Sequence, residues 1–156
     1  SNFFNYLYRN FFMNKFLLAL LVFNINVMAS SHEVRMLNQG EEGYMVFEPA
    51  VLEIAVGDTV TFKATDAAHN SASISGMIPA GAKAWSGDLS KDITVTFNTP
   101  GVYGYQCTPH SMMAMVGLIK VGDEATNIEQ IKSVAETLKP SFVMNKDRFD
   151  TYISKL

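Results

Sequence analysis

Between Gly101 and Gly117 the chain carries Cys107, then His110 three residues on, then Met115 five residues after that. A thiolate, an imidazole and a thioether, joined by a second imidazole, make the ligand set that suits a blue-copper electron-transfer centre. His69 is the candidate for that second imidazole. The order Cys-x2-His-x4-Met lets one short connection turn three donors toward a single ion, while the fourth arrives from a separate loop. Zinc would want a hard or borderline fourth donor, whereas a thioether favours copper. Met112 and Met113 compete with Met115 for the axial place; spacing and the strand that follows favour Met115, with Met113 as the fallback.

Each of these residues also has an ordinary reading. A lone cysteine is commonly a small buried hydrophobe, and methionine commonly fills gaps in cores. Cys107 is the only cysteine, so it forms no internal disulfide, and an idle thiol is a liability in an exported protein. His69 as a satisfied core histidine is the usual alternative, but the chain has only three histidines, and two of them flank suitable strands. The third, His32, is assigned to a solvated terminus. A thiol enzyme with Cys107 as nucleophile and His110 as base lacks an evident oxyanion hole or orienting third group. A copper storage or delivery protein would favour several cysteines or exposed methionine clusters, for which Met112 and Met113 are thin support.

The elements that must position these residues begin after a targeting segment. The chain has 156 residues, enough for one domain with a real core. From Met13 it runs through Lys15, an apolar stretch from Phe16 to Phe23, and Val27-Met28-Ala29, the pattern of a secretory signal peptide with small residues at the cleavage point. The apolar run falls well short of the roughly 20 residues that a bilayer needs, and Asn24 and Asn26 interrupt it. Residues 1–12 lie upstream of Met13, the expected initiator. The expected organisation is therefore 1–29 as upstream residues plus signal peptide, and 30–156 as one domain. Loss of Arg9 and Lys15 leaves 10 basic against 15 acidic residues, a net charge of −5 that does not suggest a nucleic-acid partner.

The domain reads as all-β followed by helices. Val34 to Leu37 is a first short strand, ended by turn residues from Asn38 to Gly43. Val51 to Val56 and Thr59 to Lys63 alternate on either side of Gly57-Asp58 and read as a half-buried antiparallel sheet. Asp66 to Ala84 is a long connection with little alternation, the kind of loop that tends to be functional, and His69-Asn70 stand near its start. Ile93 to Phe97 alternates cleanly. Val102 to Gln106 leads as a strand into Cys107, and Val116 to Val121 leads out, so the metal loop joins two neighbouring strands at one end of a sandwich. Beyond Gly122, Ile128, Ile131, Val134 and Leu138 recur at helical spacing, and Phe142, Phe149, Tyr152 and Ile153 form a second amphipathic stretch. Two short helices over 123–156, paired as a hairpin on the sandwich, are expected.

The segments Met45 to Pro49, Gly57 to Phe62, His69-Asn70, Met77 to Pro79, and Pro100 through Cys107-Thr108-Pro109-His110 to Met113 and Met115 resemble the pseudoazurin family. The resemblance covers the chain from about Ser30 to its end. It implies a cupredoxin Greek-key β-sandwich with a two-helix C-terminal extension and one type 1 copper ion bound by His69, Cys107, His110 and Met115. It further implies that Asn70 braces the site by hydrogen bonding toward the Cys107 sulfur, that Met45 packs near His110, and that Thr108 and Pro109 support the loop. Such contacts fix ligand geometry and tune the potential. The implied role is a soluble, monomeric, periplasmic one-electron carrier that performs no reaction on a substrate. Its implied donor is a c-type cytochrome or membrane cytochrome complex, and its implied acceptor a copper nitrite reductase or nitrous-oxide reductase. Plastocyanin has a similar loop, and a plastocyanin-like carrier serving another redox chain is the runner-up, but it would end soon after Val121. Azurin loops are longer between cysteine and histidine. Similar proteins often ring the exposed histidine with lysines, whereas here Gln106 precedes Cys107, Asp66-Ala67-Ala68 precede His69, and Ser111 replaces an aromatic. An apolar docking patch of Pro109, Met112 and Met113 is expected around His110.

Overall fold

The computed structural model describes residues 28–156. The signal-peptide reading falls almost wholly on residues 1–27, outside the described residues. Among the described residues, eight strands form two four-stranded sheets. The first sheet has the order β2 (Gly43–Glu48), β1 (Ser31–Gly40), β4 (Thr59–Lys63), β6 (Ile93–Thr96), and the second β3 (Val51–Ile54), β8 (Val116–Val121), β7 (Gly101–Gln106), β5 (Ala72–Ser73). Every connection from β2 to β7 crosses between the sheets, so the architecture is an all-β Greek-key sandwich with a helical C-terminal part.

Alternation explains which side of each strand is inside. Val34, Met36, Phe47, Val60 and Phe62 of the first sheet meet Ile54, Tyr103, Tyr105, Ile119 and Val121 of the second in one buried cluster. Trp85 lies within it, stacked on Phe62 with ring centroids 5.9 Å apart. Gly117 sits opposite Tyr105 across the β7–β8 pair, and a Cβ there would strike the tyrosine ring and come within 2.7 Å of the Ala50 carbonyl. Only glycine allows that ring to lie flat across the neighbouring strand.

Strands β7 and β8 are buried on both faces. Their outward residues Val102, Val116 and Leu118 pack under Ile131, Ala135, Phe142, Phe149 and Tyr152 of the C-terminal segment. That segment comprises α1 (Ile128–Leu138) and α2 (Arg148–Ile153). Each helix packs on a strand of the second sheet, α1 on β7 and α2 on β8. Asn127, just before α1, exchanges two hydrogen bonds with Val102: its Oδ1 accepts from the Val102 N–H at 2.7 Å and its Nδ2 donates to the Val102 carbonyl at 2.8 Å. Phe142 lies in the connection between the helices, and it is buried all the same. No helix among the described residues is long and apolar enough to cross a membrane.

Four expectations are corrected. The first strand is ten residues long, because its N-terminal half pairs parallel with β4 while its C-terminal half forms a hairpin with β2, turned only by Glu41 and Glu42. Strands β3 and β4 are not antiparallel partners; they belong to opposite sheets, β3 parallel to β8 and β4 parallel to β1. Gly57, at φ +94°, carries the chain across the sandwich there, and alternation alone cannot say which sheet a half-buried strand joins. The long connection after Asp66 contains a two-residue strand, Ala72–Ser73, on the edge of β7. His32 is not a solvated terminus: it is half-buried, with Nε2 2.7 Å from Asp58 Oδ2. The parallel pairing of β1 with β4 brings it there. The bond from His32, with backbone donors from Ser30 and Ala55, holds the Asp58 carboxyl below its usual range.

Candidate metal centre

The loop between β7 and β8 is closed by its own backbone. The Cys107 N–H donates to the Met115 carbonyl at 2.9 Å, and the His110 N–H donates back to the Cys107 carbonyl at 3.2 Å. The Met115 N–H donates to the His110 carbonyl at 3.3 Å, and the Ala114 N–H to Ser111 at 2.9 Å. Pro109 starts a tight 3-10 segment, Thr108–Met113, which breaks at His110 (φ −114°, ψ 18°) and ends on Ala114 in the left-handed region at φ 55°. Cysteine, histidine and methionine are thus tied to one another before any ion is considered.

The facing loop is pinned at three consecutive residues. The His69 carbonyl accepts from the Ser90 N–H at 2.8 Å, and Ser71 Oγ accepts from the Trp85 indole N–H at 3.0 Å. Between them, Asn70 Oδ1 accepts from the Thr108 N–H at 2.8 Å, while its Nδ2 donates to Thr108 Oγ1 and to the Gly87 carbonyl. The Asn70 side chain therefore couples the two loops through Thr108, the residue next to Cys107. Met45 packs, partly buried, against the cluster that contains Cys107 and Met115.

These loops bring His69 Nδ1 and His110 Nδ1 to 3.1 Å, with Cys107 Sγ 3.6 Å from the first and 3.4 Å from the second. The point equidistant from the three atoms lies about 2.0 Å from each, the bond length at which imidazole nitrogen holds a transition metal. Among the described residues these three form the one cluster of histidine, cysteine and carboxylate donors able to hold an ion. His69 Nε2 lies 2.9 Å from Asn38 Oδ1, an acceptor, so that nitrogen carries the proton and Nδ1 presents its lone pair to the cluster. Met115 is fully buried in the same hydrophobic cluster as Cys107, whereas Met112 is 57% exposed and Met113 half-buried.

Sequence reasoning reads Asn38 as a turn residue and does not single out Trp85 or Ser71. The contact of Asn38 with His69 depends on the end of β1 meeting the 66–70 loop, where the Asn38 N–H donates to Asp66 Oδ2 at 2.7 Å. No local pattern announces such a meeting.

Comparison with known proteins agrees with this geometry. The sequence model for copper binding proteins of the plastocyanin/azurin family matches residues 34–122. The pseudoazurin of Paracoccus pantotrophus is 43% identical over 115 residues, covering 74% of this chain and 79% of that protein. The structure of native pseudoazurin from Hyphomicrobium denitrificans superposes with a TM-score of 0.72 at 35% identity, covering 81% of this chain and 98% of that one. For pseudoazurin from Methylobacterium extorquens AM1 the TM-score is 0.69 at 38% identity, covering 80% and 98%. A sandwich whose β7–β8 loop brings a buried thiol and one imidazole against a second imidazole from the β4–β5 connection is a cupredoxin, a type 1 copper electron-transfer protein. The chain belongs to the plastocyanin/azurin family of copper-binding proteins and, within it, to the pseudoazurins.

Burial pushes the Cys107 thiol above its usual range, against weaker opposition from the Asn70 and His110 backbone, while burial and the neighbouring His110 push His69 below its own. Without metal, then, Cys107 keeps its proton and His69 is neutral at pH 7. A bound metal needs the thiolate, so metal uptake at neutral pH should release about one proton, from cysteine, and apparent affinity should rise about tenfold per pH unit below the thiol pKa. Titration calorimetry of the metal-free protein in buffers of different ionisation enthalpy reads the proton count directly. Uptake with no proton release would mean that the thiolate is already formed.

Proposed function

We propose that His69, Cys107, His110 and Met115 bind one copper ion and that the protein carries single electrons in the periplasm between a cytochrome donor and a denitrification reductase. The observation that carries this reading is the triangle of two Nδ1 atoms and one Sγ around a point about 2.0 Å from each. Two imidazoles, a thiolate and a weakly held thioether are the donor set of blue-copper centres, and the buried Met115 would supply the thioether.

Copper would supply the one-electron couple; the chain's own residues do the rest. His69 and Cys107 are held by bonds that do not involve the ion, through Asn38, Asn70 and the loop backbone, so their positions need not change with oxidation state. Burial of Cys107 and Met115 keeps water from the sulfur atoms. His110 is half-buried, the least buried of the four, and is the residue through which an electron would reach a partner.

The surroundings of His110 favour apolar docking. Thr108, Pro109 and Met112 are exposed, and the Val143 N–H donates to the Met112 carbonyl at 2.8 Å, which places the exposed Val143 and Met144 beside them. Lys120, Lys132 and Lys139 each pair with a carboxylate, on Glu53, Glu129, and both Glu136 and Asp150 respectively. Lys146 is the exposed cation next to the patch in sequence, and it has no ion pair among the described residues. The pseudoazurin likeness is what supports a c-type cytochrome as donor and a copper nitrite reductase or nitrous-oxide reductase as acceptor.

Export rests on the targeting segment, and the fold adds support at its boundary. The backbone nitrogen of Ser30, first after the expected cleavage point, lies 2.7 Å from Oδ1 of the buried Asp58, so the α-ammonium of a processed chain would face a carboxylate. On this reading residues 30–156 are the working domain, and 123–156 are its helical extension.

Three measurements test these readings. Cys107→Ser should abolish the intense visible absorption of the copper-loaded protein, and Met115→Leu should retain copper and raise the reduction potential; an unchanged potential would make Met113 the axial candidate. Stopped-flow electron transfer to an acidic nitrite reductase should slow only weakly as salt rises from about 0.01 to 0.1 M, since screening over about 10 Å removes long-range attraction that this rim does not supply; a steep fall would sink apolar docking. The intact mass of exported protein should correspond to a chain beginning at Ser30, and a mass that retains residues 13–29 would indicate an anchor instead.

A further inference from the structure

Arg148, the first residue of α2, is 7% exposed and is the only buried basic residue other than histidine among the described residues. It has no carboxylate partner among the described residues. Its Nη1 donates to the Ala114 carbonyl at 2.8 Å and to the Met45 carbonyl at 2.9 Å, and its Nη2 donates to the Tyr44 carbonyl at 3.0 Å. A buried charge without such bonds would be costly, and charge-assisted hydrogen bonds are about twice as strong as neutral ones. The glutamate nearby, Glu42, is engaged by Lys155 and Tyr152 instead.

Two of the three carbonyls belong to residues in an unfavourable backbone conformation. Met45 has φ 51° and Ala114 φ 55°, the left-handed region that non-glycine residues rarely adopt. Such conformations are disfavoured and persist where the surroundings over-determine them. Here the surroundings include one guanidinium nitrogen shared by both carbonyls. Ala114 immediately precedes Met115, and Met45 packs against the cluster that holds Cys107 and Met115, so the two residues stand on different segments beside the same centre. Nothing in the Cys107–Met115 loop's own hydrogen bonds fixes the Ala114 carbonyl; the loop's bonds use its N–H.

We infer that Arg148 is a positioning residue for the metal loop: by holding the Ala114 and Met45 carbonyls together, it sets where the Met115 thioether stands over the His69–Cys107–His110 triangle. The inference rests on Met115 as the fourth ligand. It also gives the C-terminal extension a part in the centre, since α2 carries the clamp from a segment more than thirty residues downstream of the loop.

The test compares Arg148→Met and Arg148→Lys with Tyr152→Phe, which removes the bond to Glu42 from the same helix and leaves the three carbonyls untouched. In the copper-loaded protein, Arg148→Met should shift the reduction potential and alter the ratio of the visible thiolate charge-transfer bands. Arg148→Lys should fall between it and wild type, and Tyr152→Phe should lower only the melting temperature. In metal-free protein, hydrogen exchange at the Ala114 and Met115 amides should speed by about tenfold or more in Arg148→Met relative to Tyr152→Phe. Should Arg148→Met not fold, Arg148→Lys carries both readouts. A folded variant with wild-type potential, spectrum and exchange would overturn the inference and leave Arg148 as a staple for α2. If wild type itself shows no thiolate band while Arg148→Met still loosens those amides, the ligand reading falls and the clamp on the loop stands.

Discussion

A thiol and two imidazole nitrogens are packed within 3.6 Å of one another, with Cys107 and His69 buried away from water. Burial raises Cys107 and lowers His69, so these two are held as neutral groups in a crowd of donors, an arrangement with little to recommend it except a cation at its centre. Side-chain attraction cannot keep such a cluster in place. It is kept by the hydrogen bonds around it: the backbones of Cys107, His110 and Met115 are tied to one another, and His69, Asn70 and Ser71 are each fixed to a different neighbour, the last two through their side chains.

The rigidity of that backbone comes from strands buried on both faces. Inward, Tyr103, Tyr105, Ile119 and Val121 meet the first sheet; outward, Val102, Val116 and Leu118 meet the C-terminal helices. An ordinary sandwich would leave the outward set in water. Covering it converts β7 and β8 from a sheet surface into a central layer, and the loop that joins them inherits the reduced freedom. The helical extension is therefore mechanically continuous with the centre, and the Arg148 contacts to Ala114 and Met45 are where that continuity is most direct.

What the chain presents outward follows from the same layout. His110, half-buried, stands at the end of the sandwich, where the loop and the 142–144 connection together expose Pro109, Met112, Val143 and Met144. Lys120 of the second sheet and Lys132 and Lys139 of the helical segment are already engaged by carboxylates. An apolar face with few free charges can bring a buried one-electron centre close to a partner and release it quickly, which suits a carrier better than a tightly matched polar interface would.

Spacing alone determined the donor types and their order: Cys107, His110 and Met115 lie on one connection between two strands, and periodicity showed those strands and the helices after Gly122 because alternation and helical recurrence are local properties of the chain. Spacing and the following strand favour Met115 over Met113, and burial, which depends on how the loop folds, favours it as well. Alternation could not reveal that β3 and β4 part into opposite sheets, or that β1 runs on to Gly40, because a half-buried strand looks the same whichever partner covers it. Nor could it find Asn38 behind His69, Asp58 beneath His32, or Arg148 across more than thirty residues from Ala114. Those pairings join segments distant in sequence, and only the closed sandwich brings a lone donor and a lone acceptor near enough for either to need the other.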